Sequence, residues 1–337
     1  MPEAMLDGRA LRVPAGTMIL QAARDRGIVI PSLCHQPDLD HHTSCMVCMV
    51  EEQASGRLVP SCATPVQDGQ RILTGSVRAR DARRHAVELL LAEHAGDCEA
   101  PCTRVCPARL DVPSILRRIS RGDRRGAALL VREATEHPCQ TCGAPCQRAC
   151  RRSILDRALD IRSLLIRLEA EGTLPPPRSG VRRFDSHSGR AEAVVLQALA
   201  AAAEARAARG HPESADPDSM EALRCLGCDC ARKVSCSLRA LAEEIGADPG
   251  RLRLHHSPLV PCRSGGGVSF APGKCIKCGI CVRISDRDGT RPGIAFNGRG
   301  SSVEVRGALG ADIGSALGES APECIARCPT GALAGES

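Results

Sequence analysis

The sequence predicts an α+β chain of several domains. Three observations carry this. Residues 1–78 mix short β-prone runs with one helical pattern, residues 79–170 are almost wholly helix-prone, and 21 cysteines fall into separate groups along the chain. A strand over 10–13 ends at Pro14. Thr17 caps a helix from Met18 to about Arg26, and Gly27 stands where a C′ glycine belongs. A short strand over 28–30 precedes Pro31, the stretches 47–51 and 57–59 pair as strands, and 70–73 is another. An amphipathic helix over 79–94 puts Val87, Leu90 and Leu91 on one side. Asp111 caps a helix through Ile115 and Ile119, and helices follow over 125–136 and 154–168. Residues 172–189 read as a linker, 190–209 as an Ala-rich helix ended by Gly210, and 211–219 as a second linker. The domains expected are 1–78, 79–171, the linker region 172–219, a cysteine-bearing segment 220–256 with a helix at 238–245, and a Gly-rich tail domain 257–337.

So many cysteines mean either a secreted disulfide scaffold or thiolate ligation of metals. The first stretch, MPEAMLDGRALRV, carries acids and no apolar core of a signal peptide, so a cytoplasmic protein is expected. The cysteines recur at CxxC and CxxxC steps, which gather sulfurs round one centre and make poor disulfide partners. Their odd total also fits a disulfide framework badly. No run of about 18 apolar residues exists, so no membrane span is expected. The formal charge of +6 would suit nucleic acid, but thiolates at each loaded site add negative charge. With no Trp or Tyr and only Phe184, Phe270 and Phe296, the chain also lacks stacking platforms for single strands.

The first group is Cys34-x10-Cys45-x2-Cys48-x13-Cys62. Three ligands on one loop and a fourth from a distant strand is the logic of a plant-type [2Fe–2S] site, with a longer first gap. Structural zinc prefers two close CxxC-type pairs, and this group has one. The stretches VPAGTMILQAARDRGIVIPSLCH, SCMVCMVE, LVPSCATPV and ELLLAEH resemble the N-terminal ferredoxin domain of the large iron–sulfur subunit of respiratory complex I. The same domain occurs in iron-only hydrogenases and NAD-linked formate dehydrogenases. The resemblance implies a β-grasp [2Fe–2S] ferredoxin domain with Cys34, Cys45, Cys48 and Cys62 as ligands.

In those relatives the pattern HxxxCxxCxxxxxC holds a [4Fe–4S] cluster. Here His94 and Cys98 keep the HxxxC start, and the rest departs: Cys102 and Cys106-Pro107 follow, then Cys139, Cys142, Cys146 and Cys150. The run from Ala100 to Cys150 resembles the helical two-cluster domain of glutamate synthase small subunits and dihydropyrimidine dehydrogenase, through PC-x3-CP, D-x-P-x-x-I and C-x3-C-x3-C. That resemblance implies a helical iron–sulfur domain with two [4Fe–4S] clusters. Seven cysteines leave one ligand wanting, and His94, one helical turn before Cys98, is the candidate. Spacing does not decide the pairing.

Next comes Cys225-x2-Cys228-x-Cys230-x5-Cys236. EALRCLGC is similar to the start of the glutamate synthase domain, and CSLRALAEEIGA to the end of the complex I His–Cys box. One [4Fe–4S] cluster or a zinc ion suits so tight a group. The last group, GKCIKCGICVRI with ECIARCPTGAL, resembles a two-cluster bacterial ferredoxin domain. There the fourth cysteine of each run ligates the other cluster. The fourth position of the first run is Ser285, and Gly318 and Ala321 stand at the first two positions of the second. Cys275, Cys278, Cys281 and Cys328 then make one [4Fe–4S] site, the second site is lost, and Cys262 and Cys324 are small buried residues.

No catalytic constellation emerges. The glycines at 265–267 lack the setting of a dinucleotide loop, and no P-loop or nucleophile elbow is present. His41, His42, His255 and His256 read as loop or surface histidines, and 42 arginines against three lysines as a composition bias. The expectation is a non-catalytic electron-transfer subunit with one [2Fe–2S] and up to four [4Fe–4S] clusters. By resemblance it serves a flavoprotein NAD(P)H dehydrogenase or a molybdopterin or hydrogenase catalytic subunit. The rival readings are a redox or iron sensor, for which no helix-turn-helix pattern is found, and a zinc-stabilised interaction protein with only the N-terminal [2Fe–2S] cluster.

Overall fold

An Asp-Gly pair starts the fold. Asp7 and Gly8 both take positive φ (47° and 78°), the geometry of a two-residue hairpin that joins two twisted strands. In the computed structural model, residues 1–94, 98–132, 139–170, 216–230, 235–248, 251–252 and 263–335 are described. Strands β1 (Glu3–Leu6), β2 (Arg9–Arg12), β3 (Met49–Glu52), β4 (Arg57–Pro60) and β5 (Arg71–Leu73) form a sheet in the order β2-β1-β5-β3-β4. β1 and β5 are parallel and the other neighbours antiparallel. β1 is absent from the sequence expectation, although its Asp-Gly turn marks it.

Helix α1 (Ile19–Arg24) buries Ile19, Leu20, Ala22 and Ala23 against Leu6, Leu11, Val50 and Ile72. Met18, not Thr17, is its N-cap, because the Thr17 hydroxyl donates to the Pro14 carbonyl at 2.8 Å. Gly27 ends the turn at φ 72°, as its position implies. Residues 28–30 are not a strand: Ile30 drops into the core while Val29 stays 86% exposed, with no sheet neighbour. Helix α2 (Val77–Glu93) is capped by Ser76, which accepts from the Ala79 amide at 3.1 Å. Arg83 fastens α2 to β3 by donating to the Met49 carbonyl at 2.8 Å.

The residues of a second, helical unit follow: α3 (Pro101–Arg104), α4 (Val112–Ser120), α5 (Arg124–Arg132), α6 (Pro145–Arg148), α7 (Ile161–Ala170) and α8 (Pro217–Leu223). Asp111 caps α4 as expected. Ile115, Ile119, Val131, Leu164, Leu168 and Ala222 share its core. The helix expected from 154 begins only at Ile161. Before it, Arg151–Ile154 is a 3-10 turn, held by a two-point ion pair from Arg152 to Asp156. Part of the expected linker at 211–219 is helix, since Asp216 caps α8 with Pro217 at its first position. The 172–189 linker, the 190–209 helix, the last turn expected over 125–136, and His255, His256 and Cys262 lie outside the described residues.

The remaining elements are α9 (Ser237–Ile245), β6 (Arg263–Gly265), β7 (Val268–Phe270), α10 (Ile280–Arg287), β8 (Ile294–Asn297), β9 (Glu304–Gly307), α11 (Ile313–Leu317), α12 (Ala321–Arg327) and β10 (Leu333–Gly335). They form a sheet β10-β7-β6 and a β8–β9 hairpin. Phe270, Ile280, Ile284 and Leu317 share a core with Leu33, Cys34 and Val87 of the N-terminal segment. The chain divides accordingly: one unit is Met1–His94, Ser235–His256 and Arg263–Ser337, the other Ala95–Val234 and Ser257–Cys262. No helix among the described residues is long and apolar enough to cross a membrane.

Candidate metal centres

Cys34, Cys45, Cys48 and Cys62 are all buried, none more than 3% exposed. The pairing of β3 with β4 brings Cys48 and Cys62 to one end of that ladder, with their Sγ atoms 3.1 Å apart. Met46 takes a left-handed conformation (φ 53°) between Cys45 and Cys48, which tightens the loop. The thiols pair: Cys34 is pulled down by its hydrogen bond with Cys45, and Cys48 by its bond with Cys62, while Cys45 and Cys62 are pushed up by the same bonds and by burial. Backbone amides add to this. Ser44 and Cys45 face the Cys34 sulfur, Val47 and Leu33 face Cys45, and Cys62 faces Cys48. A nest of four thiols lined by N–H donors suits thiolates held round an iron pair.

Cys275, Cys278, Cys281 and Cys328 form a second nest. Burial pushes Cys275 up to about 11 and Cys278 up to about 12, and Cys281 well above its usual value, each with further contributions from its cysteine neighbours. The Cys275 sulfur accepts from the Lys277 amide at 3.4 Å. Cys324 is wholly buried in the apolar core, with its Sγ 3.8 Å from the Cys281 carbonyl. Of the positions expected to have lost a second cluster, Ser285 is 1% exposed and accepts from the Ile294 amide at 3.4 Å, Gly318 takes a φ of 50°, and Ala321 is buried.

The two nests adjoin within one unit. The Ser44 hydroxyl donates to the Cys278 carbonyl at 3.4 Å, and Cys278 senses the charge of Cys34. Gly279 is needed where they meet. Its φ is 73°, and a Cβ there would stand 3.2 Å from His42, whose ring stacks on Phe296 at 6.0 Å. His42 is thus a packing residue of this junction.

In the helical unit the cysteines gather in two neighbourhoods. Cys106, Cys139, Cys142 and Cys146 line one small cavity with Arg162, which donates to the Cys139 carbonyl at 2.7 Å. Burial raises Cys139 to about 12 and Cys146 to about 11, with Cys106 and Cys142 among the further causes of both. Cys102 is driven up by burial first, then by Cys225, Cys228, Cys150 and Cys146. Burial raises Cys225 to about 11, with Cys150 again a neighbour. Cys225 and Cys228 therefore gather with Cys102 and Cys150. Asp229 anchors their loop through a two-point ion pair with Arg117, both contacts at 2.8 Å.

Other residues are placed differently from their sequence grouping. The Cys230 amide donates to the Cys98 carbonyl at 3.3 Å. Cys236 belongs to the other unit, with its Sγ 3.8 Å from the Pro329 carbonyl. His94 also lies in that unit. It is lowered to about 4 by burial and then by Lys274, and its buried Nδ1 has no hydrogen-bond partner. Among the described residues, no three His, Cys, Asp or Glu side chains stand close enough to hold a single ion. Zinc–sulfur bonds of about 2.3 Å would need sulfurs about 3.8 Å apart. Ser44, Arg117, Arg162 and Asp229 carry no sequence signal of their own, since hydrogen bonds to distant backbone obey no local spacing.

Residues 3–76 match the family described as "2Fe-2S iron-sulfur cluster binding domain", which takes in the first nest. These residues are a 2Fe–2S iron–sulfur domain. The domain extends the likeness to larger proteins. The chain is 43% identical over 99 residues to the NADP-reducing hydrogenase subunit HndD of Solidesulfovibrio fructosivorans, covering 28% of this chain and 17% of that one. It is 38% identical over 96 residues to the mitochondrial NADH-ubiquinone oxidoreductase 78 kDa subunit of Candida albicans, covering 28% and 13%. The matches thus span less than a fifth of these relatives. A structure titled as an NAD+-reducing [NiFe]-hydrogenase in the H2-reduced state shares the fold with a TM-score of 0.52 and 20% identity, over 100% of this chain and 88% of that one.

Proposed function

We propose that the chain is a non-catalytic electron-transfer subunit carrying one [2Fe–2S] cluster and up to four [4Fe–4S] clusters. It would work in the cytoplasm beside a flavoprotein NAD(P)H dehydrogenase or a hydrogenase or molybdopterin catalytic subunit. The observation that carries this is the junction of two four-thiol nests through Ser44 and Cys278. Clusters bound there would supply one-electron exchange with little change of geometry.

Cys34, Cys45, Cys48 and Cys62, in a domain read as β-grasp, hold the [2Fe–2S] cluster. Cys275, Cys278, Cys281 and Cys328, in a ferredoxin-like domain, hold one [4Fe–4S] cluster. The helical unit, read as glutamate synthase-like, holds two more: one on Cys106, Cys139, Cys142 and Cys146, the other on Cys102, Cys150, Cys225 and Cys228. Cys98 and Cys230 remain outside these sets in the helical unit, and His94 and Cys236 in the other unit. The protein's part is to keep these thiols from water, to supply N–H donors to their sulfurs, and to fix the distances between neighbouring sites.

Anaerobic purification with iron, sulfide and zinc counts, followed by EPR of the reduced protein, tests this. Five loaded sites require about 18 irons per chain and signals of both cluster types. About two irons with bound zinc would remove the multi-cluster reading and leave only the N-terminal domain loaded.

A further inference from the structure

Arg283 lies on α10, two residues after Cys281, and its half-buried guanidinium reaches into the other nest. One Nη donates to the Cys34 carbonyl and the other to the Asp40 carbonyl, each at 2.6 Å, while Nε donates to the Gly279 carbonyl at 3.3 Å. One rigid cation therefore ties the backbone of the first [2Fe–2S] ligand to the residue that follows Cys278. The planar fork serves carbonyls on two segments at once, which the single ammonium of a lysine cannot reproduce. The neighbouring arginines do less. Arg287 and Arg327 reach Asp38 of the same loop at 3.2 and 2.7 Å, but Asp38 is 46% exposed and its pairs are screened by water.

We infer that Arg283 is the positioning residue that fixes the spacing and the electrostatic coupling of the two adjoining metal sites. This rests on the reading that both sites bind clusters. A cation fixed between the nests favours the more negative, reduced state of each site, and so raises its potential. The same fork keeps the loop at 34–45 from drifting off α10, which would lengthen the gap that an electron must cross.

The test uses the full chain, prepared anaerobically as wild type, Arg283→Met, Arg283→Lys and Arg287→Gln. It reads iron content, potentiometric EPR and the magnetic interaction between the two reduced centres. Wild type must show both the [2Fe–2S] signal and a [4Fe–4S] signal that disappears in Cys278→Ser. If either is absent, the cluster reading falls, and this inference with it. With both present, Arg283→Met is expected to keep its iron, to lower the [2Fe–2S] midpoint potential and to lose the interaction. Arg283→Lys should recover the potential but not the interaction, and Arg287→Gln should change neither. Should Arg283→Met lose iron, Arg283→Lys decides alone, and unchanged coupling there overturns the inference. Wild-type coupling and potential in both Arg283 variants, or equal changes in Arg287→Gln, would also overturn it.

Discussion

The Ser44 hydroxyl stands 3.4 Å from the Cys278 carbonyl, and the same serine faces the Cys34 sulfur with its amide and its side chain. Like Arg283 it links the two nests, and donors at the Cys34 sulfur would stabilise a reduced cluster held there. Ser44→Ala removes the hydroxyl and leaves the amide. The variant should keep its [2Fe–2S] signal but shift its midpoint potential downward, as read by redox titration followed by EPR.

The ligand sets in the helical unit make a counting prediction. Cys106→Ser and Cys142→Ser should each cost about four irons, and the double variant no more than either, because both act on one site. Cys106→Ser combined with Cys225→Ser should cost about eight. Iron and sulfide analysis of the purified variants checks this. An equal loss from the two double variants would show that Cys106, Cys142 and Cys225 serve one site.

Arg117 and Asp229 form the anchor of the Cys225 loop. The Asp229 side chain is 2% exposed, so removing its cation leaves a carboxylate in a poor solvent. Arg117→Met is expected to lower stability by about 3 kcal/mol. Chemical denaturation of the anaerobic protein gives the value, and a shift below about 0.5 kcal/mol would show that the pair contributes little.

Without metal, the nests should make stability fall in alkali. Burial raises Cys139 from 9.0 to about 12, and Cys225 and Cys275 from 9.0 to about 11. Above 9.0 an unfolded chain has released these protons and the folded one still holds them. Folding thus binds protons, and stability declines as pH rises through 9 toward 11. Thermal melts of the iron-free, reduced protein between pH 7.5 and 10.5 (about one unit either side of the free thiol) should show a steady fall above pH 9. Metal loading opposes this by holding the thiolates, so the loaded protein should melt with a flatter profile.

Much of the fold is local and therefore legible. Asp111, Gly27, the β3–β4 hairpin and the helix of 237–245 follow from caps, turn residues and alternation, which act over a few residues. The errors are also local contests. Thr17 spends its hydroxyl on Pro14 instead of the helix, and Asp216-Pro217 starts a helix inside what composition marks as linker.

The sequence by itself determined the 2Fe–2S domain over residues 3–76 and pointed to Cys34, Cys45, Cys48 and Cys62 as its thiol set. Local spacing carries this, because cysteines grouped on one loop are close in space wherever the rest of the chain goes. Only the tertiary structure decided which distant cysteines meet. Cys225 and Cys228 gather with Cys102 and Cys150, and Cys236 lies in the other unit, although it is eight residues from Cys228. The junction of Ser44, Arg283 and Cys278 was equally out of reach of spacing rules. The reason is physical. Burial of Ile115, Ile119 and Ala222 in one core, and of Leu33, Ile280 and Ile284 in another, brings together segments that no periodicity relates.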